Sequence, residues 1–276
     1  MKRFTFGMAL LACACLGAQV IPEDGEKNSS EGWKVRLGAR LFTGPQYPGS
    51  GQQRVAPLPV FSAIYADKFF IGTTKVTPGL GVGMHALKSE HWTWDLGVGL
   101  GEGRREKKTD VLAGMGDRDP SVFAGMGLMF HSGGFQSRLL LVEGANDQAG
   151  REGTFSIGYT ARLMGNWVGH ATLSTAWSDS QNMAFWFGVT PEQAAQRAAL
   201  LVAGDARLQV GEDRAYAPKA GLREVALNLG LTYRVDDHWR WFGMAHLQQL
   251  QGEARQSPLV RRDTDASLGV GFAYQF

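Results

Sequence analysis

The chain has 276 residues, 37 of them glycine and eight of them tryptophan, with a formal net charge of +2. That length allows one large β domain or two small ones, and so small a charge gives no reason to expect a nucleic-acid partner. Mean hydropathy is −0.17, and no apolar run is long enough to cross a membrane as a helix, so a membrane location would have to rest on strands.

In chain order, Lys2 and Arg3 precede an apolar run over residues 4–16 and then small residues. This is the pattern of a secretory signal peptide, assigned to residues 1–18 with cleavage after Ala18, or alternatively after Ala14. Cys13 and Cys15, the two cysteines, both fall inside it, so no disulfide framework is expected. The run Leu10-Leu11-Ala12-Cys13 matches a lipidation signal only loosely. Residues 19–32 are polar and acidic and are predicted to form a flexible periplasmic lead-in.

From residue 33 onward the pattern is strand after strand. Residues 34–42 put Val35, Leu37, Ala39 and Leu41 on one face, and Lys34, Arg36, Gly38 and Arg40 on the other. Three cations on one face of a strand suit a watery lumen better than a packed core. Residues 56–65 form a second strand, with Pro57 and Pro59 placed near its start, where proline is tolerated. Residues 69–74 and 80–87 are two short strands or one bent strand. Residues 92–101 alternate Trp92, Trp94, Leu96, Val98 and Leu100 against Thr93, Asp95 and three glycines. Further strands follow at 121–130, 135–143 (register open, because Leu139 to Val142 are all apolar), 155–163, 167–177, 222–234 and 239–249. The last, 266–276, alternates Leu268, Val270, Phe272, Tyr274 and Phe276 against small and polar residues. Alternate strand residues face opposite sides, and a strand of this kind closing on an aromatic residue is a feature of outer-membrane barrels.

The connections alternate as well. Short turns at 66–68, 88–91, 132–134, 164–166 and 236–238 are separated by mostly long loops, as periplasmic turns and extracellular loops are in a transmembrane barrel. A soluble sandwich has no reason for that order, and tryptophan suits a membrane interface. The expected fold is therefore all-β: a transmembrane antiparallel barrel of the outer membrane over residues 33–276. Twelve strands are expected, or ten if the 69–87 region stays out of the membrane. One short helix is expected in the longest loop, residues 178–221. There Thr190 can cap, Pro191 takes the first helical position and Gln193 can complete a capping box. Ala194, Ala198, Leu201 and Val202 form the apolar face of that helix, and Gln193, Gln196 and Arg197 the polar one. With Phe185, Trp186 and Phe187 just before it, the loop is expected to fold over or into the outer mouth.

The chemistry is sparse. Six histidines form no H-x-H or HExxH pair, there is no G-x-S-x-G elbow, and Gly79 to Gly83 is better explained as a glycine-bearing strand face than as a nucleotide loop. Asp117 and Asp119 in GMGDRD belong to a solvated turn more readily than to a cation site. No residue is assigned a catalytic, cofactor-binding or metal-binding role, and no cofactor is expected. Lys34, Arg36, Arg40, Asp95, Arg138, Arg162 and Arg234 are placed on the lumen face, a basic balance that would either fill a narrow barrel or favour anions.

Several stretches carry a family resemblance: GPQYPGS (residues 44–50), the Pro57-Leu58-Pro59 strand, GRRE (103–106) followed by GMGD (114–117), FGVTPEQAA (187–195) and GEARQSPLVR (252–261). In this order they resemble the MipA/OmpV family of outer-membrane proteins; an aspartate common in that family is replaced by Arg255. The resemblance implies a Gram-negative outer-membrane barrel, and the chain is expected to be a monomer in contact with outer-membrane lipid. Its implied role is a scaffold linking a murein-degrading lytic transglycosylase to a penicillin-binding protein. Adhesins, antigens and permeability proteins are the alternatives within the family. No agreed catalytic residues come with it.

Overall fold

The computed structural model describes residues 32–73, 76–101, 103–145 and 149–276. The expected signal peptide, both cysteines and residues 19–31 of the lead-in lie outside the described residues. Twelve antiparallel strands close into a single barrel, each paired with its neighbours in sequence and the first with the last. They are β1 (Trp33–Pro45), β2 (Gln53–Tyr65), β3 (Phe69–Thr73), β4 (Leu80–Lys88), β5 (Trp92–Gly101) and β6 (Ser121–Ser132), then β7 (Phe135–Gly144), β8 (Arg151–Arg162), β9 (Trp167–Ser178), β10 (Gly221–Arg234), β11 (Trp239–Leu250) and β12 (Thr264–Gln275). The region left open between one and two strands holds two, β3 and β4, so the count is twelve rather than ten.

The period-two pattern is what closes the barrel. Every even-numbered residue of β5, from Trp92 to Leu100, is exposed, while Thr93 and Asp95 face inward and are buried. Along β12, Leu268 and Val270 are exposed and Ser267, Gly269 and Gly271 are buried. The outward apolar rows have no protein over them; in a bilayer, lipid covers them, and closure leaves every ladder hydrogen bond inside the sheet. Aromatic pairs ring the end that carries the short turns: Trp33 with Tyr65 at 5.1 Å, Trp167 with Tyr233 at 4.8 Å, and Trp239 with Tyr274 at 5.0 Å. This is the interfacial girdle of a membrane barrel. Trp177, at the outer end of β9, and Trp186, in an outer loop, lie away from it.

Pairing settles three local questions. In β7, Leu139 and Leu141 pair with the outward Leu128 and Met126, so Leu140 and Val142 turn inward. They pack there with Phe123 and Ala149, which is why that strand is apolar on both faces. In β4 a bulge between His85 and Leu87 puts Leu87, not Ala86, opposite the outward Trp94. And β2 begins at Gln53, so Pro57 and Pro59 lie inside the strand instead of at its start. They are tolerated because β3 reaches only Ser62–Tyr65.

In the β3–β4 connection, Val76 and Thr77 lie against the inner wall of the barrel. Val76 has no solvent exposure and lies against Gly97 of β5 and Gly125 and Gly127 of β6. The glycine faces of these strands thus make room for a segment inside the lumen. A β-carbon at position 125 would collide with the Val76 carbonyl oxygen. Gly125→Ala is expected to push this segment off the wall at a cost of about 1–3 kcal/mol. A lowered melting midpoint, with heat-modifiable gel migration retained, would register it; an unchanged midpoint would contradict it.

Candidate functional site: the loop cap and the basic lumen

The outer loops build a second core above the strands. The longest, residues 179–220, contains two helices rather than one: α1 (Ser180–Phe187) and α2 (Pro191–Val202). Asp179 caps α1, accepting from the Asn182 amide at 2.7 Å. Thr190 and Gln193 make the expected capping box on α2, with Pro191 at its first position. A third, single-turn helix, α3 (Gly252–Arg255), lies in the 251–263 loop. Met183 and Phe187 of α1 pack with Leu250 and Ala254. Beside them Tyr47, Val111, Leu112, Met115, Val189 and Leu259 share a cluster drawn from four loops, with Trp186 against both. The aromatic row at 185–187 is therefore helical, and Phe185 and Phe187 are buried.

The end of α1 shows how the loops are locked. The last carbonyls of a helix have no partner within it. Here three are each taken by a side chain from a different loop. Arg104 Nη1 donates to the Phe185 carbonyl at 3.2 Å, the Tyr47 hydroxyl to that of Trp186, and Ser257 Oγ to that of Phe187 at 2.6 Å. Tyr47, Arg104 and Ser257 were not singled out by chemistry in the sequence. Each lies in one of the family-like stretches, so the joint occurrence of those stretches was the available signal. Burial raises the Tyr47 phenol above its ordinary pKa, against the opposing pull of Arg104.

Arg197 of α2 departs from expectation. Placed on the polar face by sequence, it is fully buried, while Val202, placed on the apolar face, is 91% exposed. Its Nε donates to the Glu212 carbonyl at 2.6 Å, and its Nη1 to the carbonyls of Val111 and Ala113 at 2.8 Å each. The Glu212 carboxylate lies 3.5 Å from Nη2 and also accepts from Arg261 at 2.5 and 2.9 Å. A guanidinium offers five donors in a fixed fork, enough to hold two loops that lack strand partners. Only Ala194, with Ala198 and Leu201 half-buried, keeps the expected apolar face.

At the outer edge of the cap, the Tyr216 hydroxyl donates to the Glu253 carbonyl at 2.8 Å and to its carboxylate at 3.1 Å. Its pKa is pushed up to about 12, first by burial and then by this hydrogen bond. A raised folded-state pKa means that the contact stabilises fully below the ordinary value of about 10 and is lost as pH rises toward 12. The α3 contact is thus expected to loosen between those values. Tyrosinate absorbance at 295 nm should show one late-titrating phenol, absent in Tyr216→Phe; loss of none in that variant would contradict the assignment.

Inside the barrel, Lys34, Arg36, Arg40, Asp95, Arg138 and Arg234 lie on inward register positions; Arg162 shares that parity but is exposed at the rim. Arg240, missed by sequence because its strand was not assigned a lumen face, joins them. Arg36 and Arg240 both donate to Gln275 Oε1, at 3.0 and 2.5 Å. Asp95 lies 2.6 Å from His85 Nδ1 and 3.8 Å from Arg138. Near the outer end, Arg223 pairs with Glu152 at 2.5 Å and Glu224 at 3.3 Å. The inner-half wall is net basic.

Among the described residues, no three His, Cys, Asp or Glu side chains gather as metal ligands. Asp117 instead accepts from the Glu106 amide at 2.8 Å and from Arg105 at 3.2 Å, the solvated turn. An open groove of about 450 Å³ lies on the cap between Met115, Arg118 and Phe185; the Arg118 guanidinium stacks 5.1 Å over the Phe185 ring.

A family model described as MltA-interacting protein MipA matches residues 37–276. The chain belongs to this family. It is an outer-membrane protein, and the match runs from within β1 to Phe276, so the family unit is the barrel together with its cap. No curated protein matches the chain. Among solved structures, the KdgM porin in complex with disordered oligogalacturonate is similar at a TM-score of 0.44 and 8% identity, over 88% of this chain and 99% of that one. An outer-membrane channel from Pseudomonas putida F1 is similar at 0.44 and 10%, over 94% and 100%. An anion-selective porin from Comamonas acidovorans is similar at 0.38 and 8%, over 89% and 99%. At these identities no residue role is carried across.

Proposed function

We propose that this family member is a non-enzymatic scaffold of the cell envelope. As a monomer in outer-membrane lipid, it holds a lytic transglycosylase, and with it a penicillin-binding protein, against the inner side of the membrane. The observation that carries this reading is the packed cap: four outer loops share one apolar core and lock the end of α1. Loops spent on each other are poorly placed to adhere to a surface, which leaves the periplasmic side for recognition. The family description, MltA-interacting protein, supports the partner class. In this reading residues 1–18 are removed on export, and residues 19–32 tether the partner beside the short turns. One of these turns presents Leu163 and Met164, exposed at 58% and 83%.

Capture of a purified lytic transglycosylase by the full-length mature barrel tests this. Deleting residues 19–31, or introducing Met164→Asp with Leu163→Asp, is expected to reduce capture at least tenfold. Undiminished capture by the barrel lacking both features would sink the proposal. The second reading, a gated pore, draws on the basic lumen and is tested by conductance below.

A further inference from the structure

The groove on the cap carries positive charge that the loops themselves do not balance. Arg104 and Arg118 face each other across an isolated antiparallel bridge. The Arg104 amide donates to the Arg118 carbonyl at 2.9 Å, and the Arg118 amide to that of Arg104 at 2.7 Å. Residues that exchange both bonds lie directly opposite, so their side chains leave on the same side. Like charges in that position repel. The neighbouring acids do not relieve them: Asp117 and Asp119 both pair with Arg105.

Arg104 is buried. Its Nη1 holds the Phe185 carbonyl, and its Nε and Nη2 have no hydrogen-bond partner. The Arg118 guanidinium lies over the Phe185 ring, 5.1 Å from the centroid, and among the described residues its side chain makes no hydrogen bond or ion pair. Burial, and then the Arg104 charge, hold it below its ordinary pKa. A guanidinium carried on an aromatic face keeps its N–H fork for a planar anion.

The walls of the groove are fixed. The Glu106 carboxylate accepts from the amides of Gly114 and Gly116 at 3.0 and 2.9 Å. Gln193 Nε2 donates to the Met115 carbonyl at 2.8 Å, tying residues 114–118 to the start of α2. The volume of about 450 Å³ is that of a small-molecule site. Its lining also holds Asp117 and the apolar Met115 and Ala184. Asp117 would repel a bare anion. Its charge is already met by Arg105 at 3.2 Å, so it suits a neutral hydroxyl better than an ammonium.

We propose that the groove binds an acidic sugar, with the carboxylate on Arg118, hydroxyls on Asp117 and the ring against Met115 and Ala184. Arg104 adds its charge from within the cap. A soluble uronic acid and the acidic sugars of an outer-leaflet glycolipid offer the same chemistry. The site is independent of any periplasmic partner.

Equilibrium dialysis of radiolabelled glucuronate against the full mature barrel in detergent micelles tests this. Saturable binding is expected, at least tenfold tighter than that of glucose. Arg118→Gln should weaken it at least tenfold, and Arg118→Lys should recover part. Asp117→Asn should narrow the preference for glucuronate over inorganic phosphate at least threefold. Heat-modifiable migration and protease resistance of the cap check folding of each variant. Absence of saturable binding, or equal binding by the parent and folded Arg118→Gln, overturns the proposal. Phosphate or glycine competing as well as glucuronate in the parent also overturns it, because the groove would then take a bare anion or a zwitterion. Lipopolysaccharide added to the micelles separates the sources. Displacement of glucuronate assigns the site to the glycolipid, and undiminished binding assigns it to the soluble sugar.

Discussion

Deleting residues 183–202 is expected to turn a barrel with no resolvable conductance into one with discrete, steady steps in a planar bilayer. The segment removes most of α1 and all of α2. Met183, Phe187 and Ala194 leave the two cap clusters, and Tyr47, Arg104 and Ser257 lose the carbonyls that hold three other loops in place. The strands do not depend on these contacts, because each is hydrogen-bonded to its neighbours around the closed barrel. The steps should be small, since Val76 still narrows the lumen. They should favour anions, since Lys34, Arg36, Arg40 and Arg240 outnumber Asp95 along the inner-half wall. A large conductance already present in the intact protein, and unaltered by the deletion, would show that the cap does not close the mouth.

The second large effect is expected from Arg197→Met. The side chain is fully buried and its hydrogen bonds reach three carbonyls, on two loops. Removing one partner of a buried, hydrogen-bonded charge pair typically costs about 3–5 kcal/mol. Glu212 keeps Arg261, which places the expected loss at the lower end of that range. The loss falls on the cap alone. Limited proteolysis should therefore cut within residues 203–214 at least tenfold faster, while the barrel still migrates as a folded species before heating. Arg197→Lys should recover only part of the protection, because an ammonium cannot span the same fork of carbonyls. Unchanged protease resistance in Arg197→Met would remove Arg197 from its role as the tie between the loops.

Much of the barrel was legible because its signals are local. Trp92 to Gly101 and the last strand announce themselves by period two, and the order of short and long connections follows from the strand ends. The Thr190–Gln193 capping box is equally local, four residues deciding where α2 begins. The resemblance stretches, spread along the chain, pointed to the correct family before any geometry was known. What they did not reveal is that four of them meet in one place, at the end of α1.

What the sequence by itself determined, then, is the membrane barrel, most of its strand faces and the start of α2. Each depends on neighbours a few residues apart. Only the tertiary structure decided the cap, the fate of Arg197 and the meaning of Pro57 and Pro59. The aromatic row at 185–187 is buried because loops from residues 46–52 and 251–263 arrive to cover it. Arg197 is buried because carbonyls more than eighty residues away need its donors. The prolines sit in mid-strand because β3 stops at Thr73 and pairs with β2 only over Ser62–Tyr65. In each case the deciding partner is distant in sequence, and the free energy of meeting it is written in no single stretch.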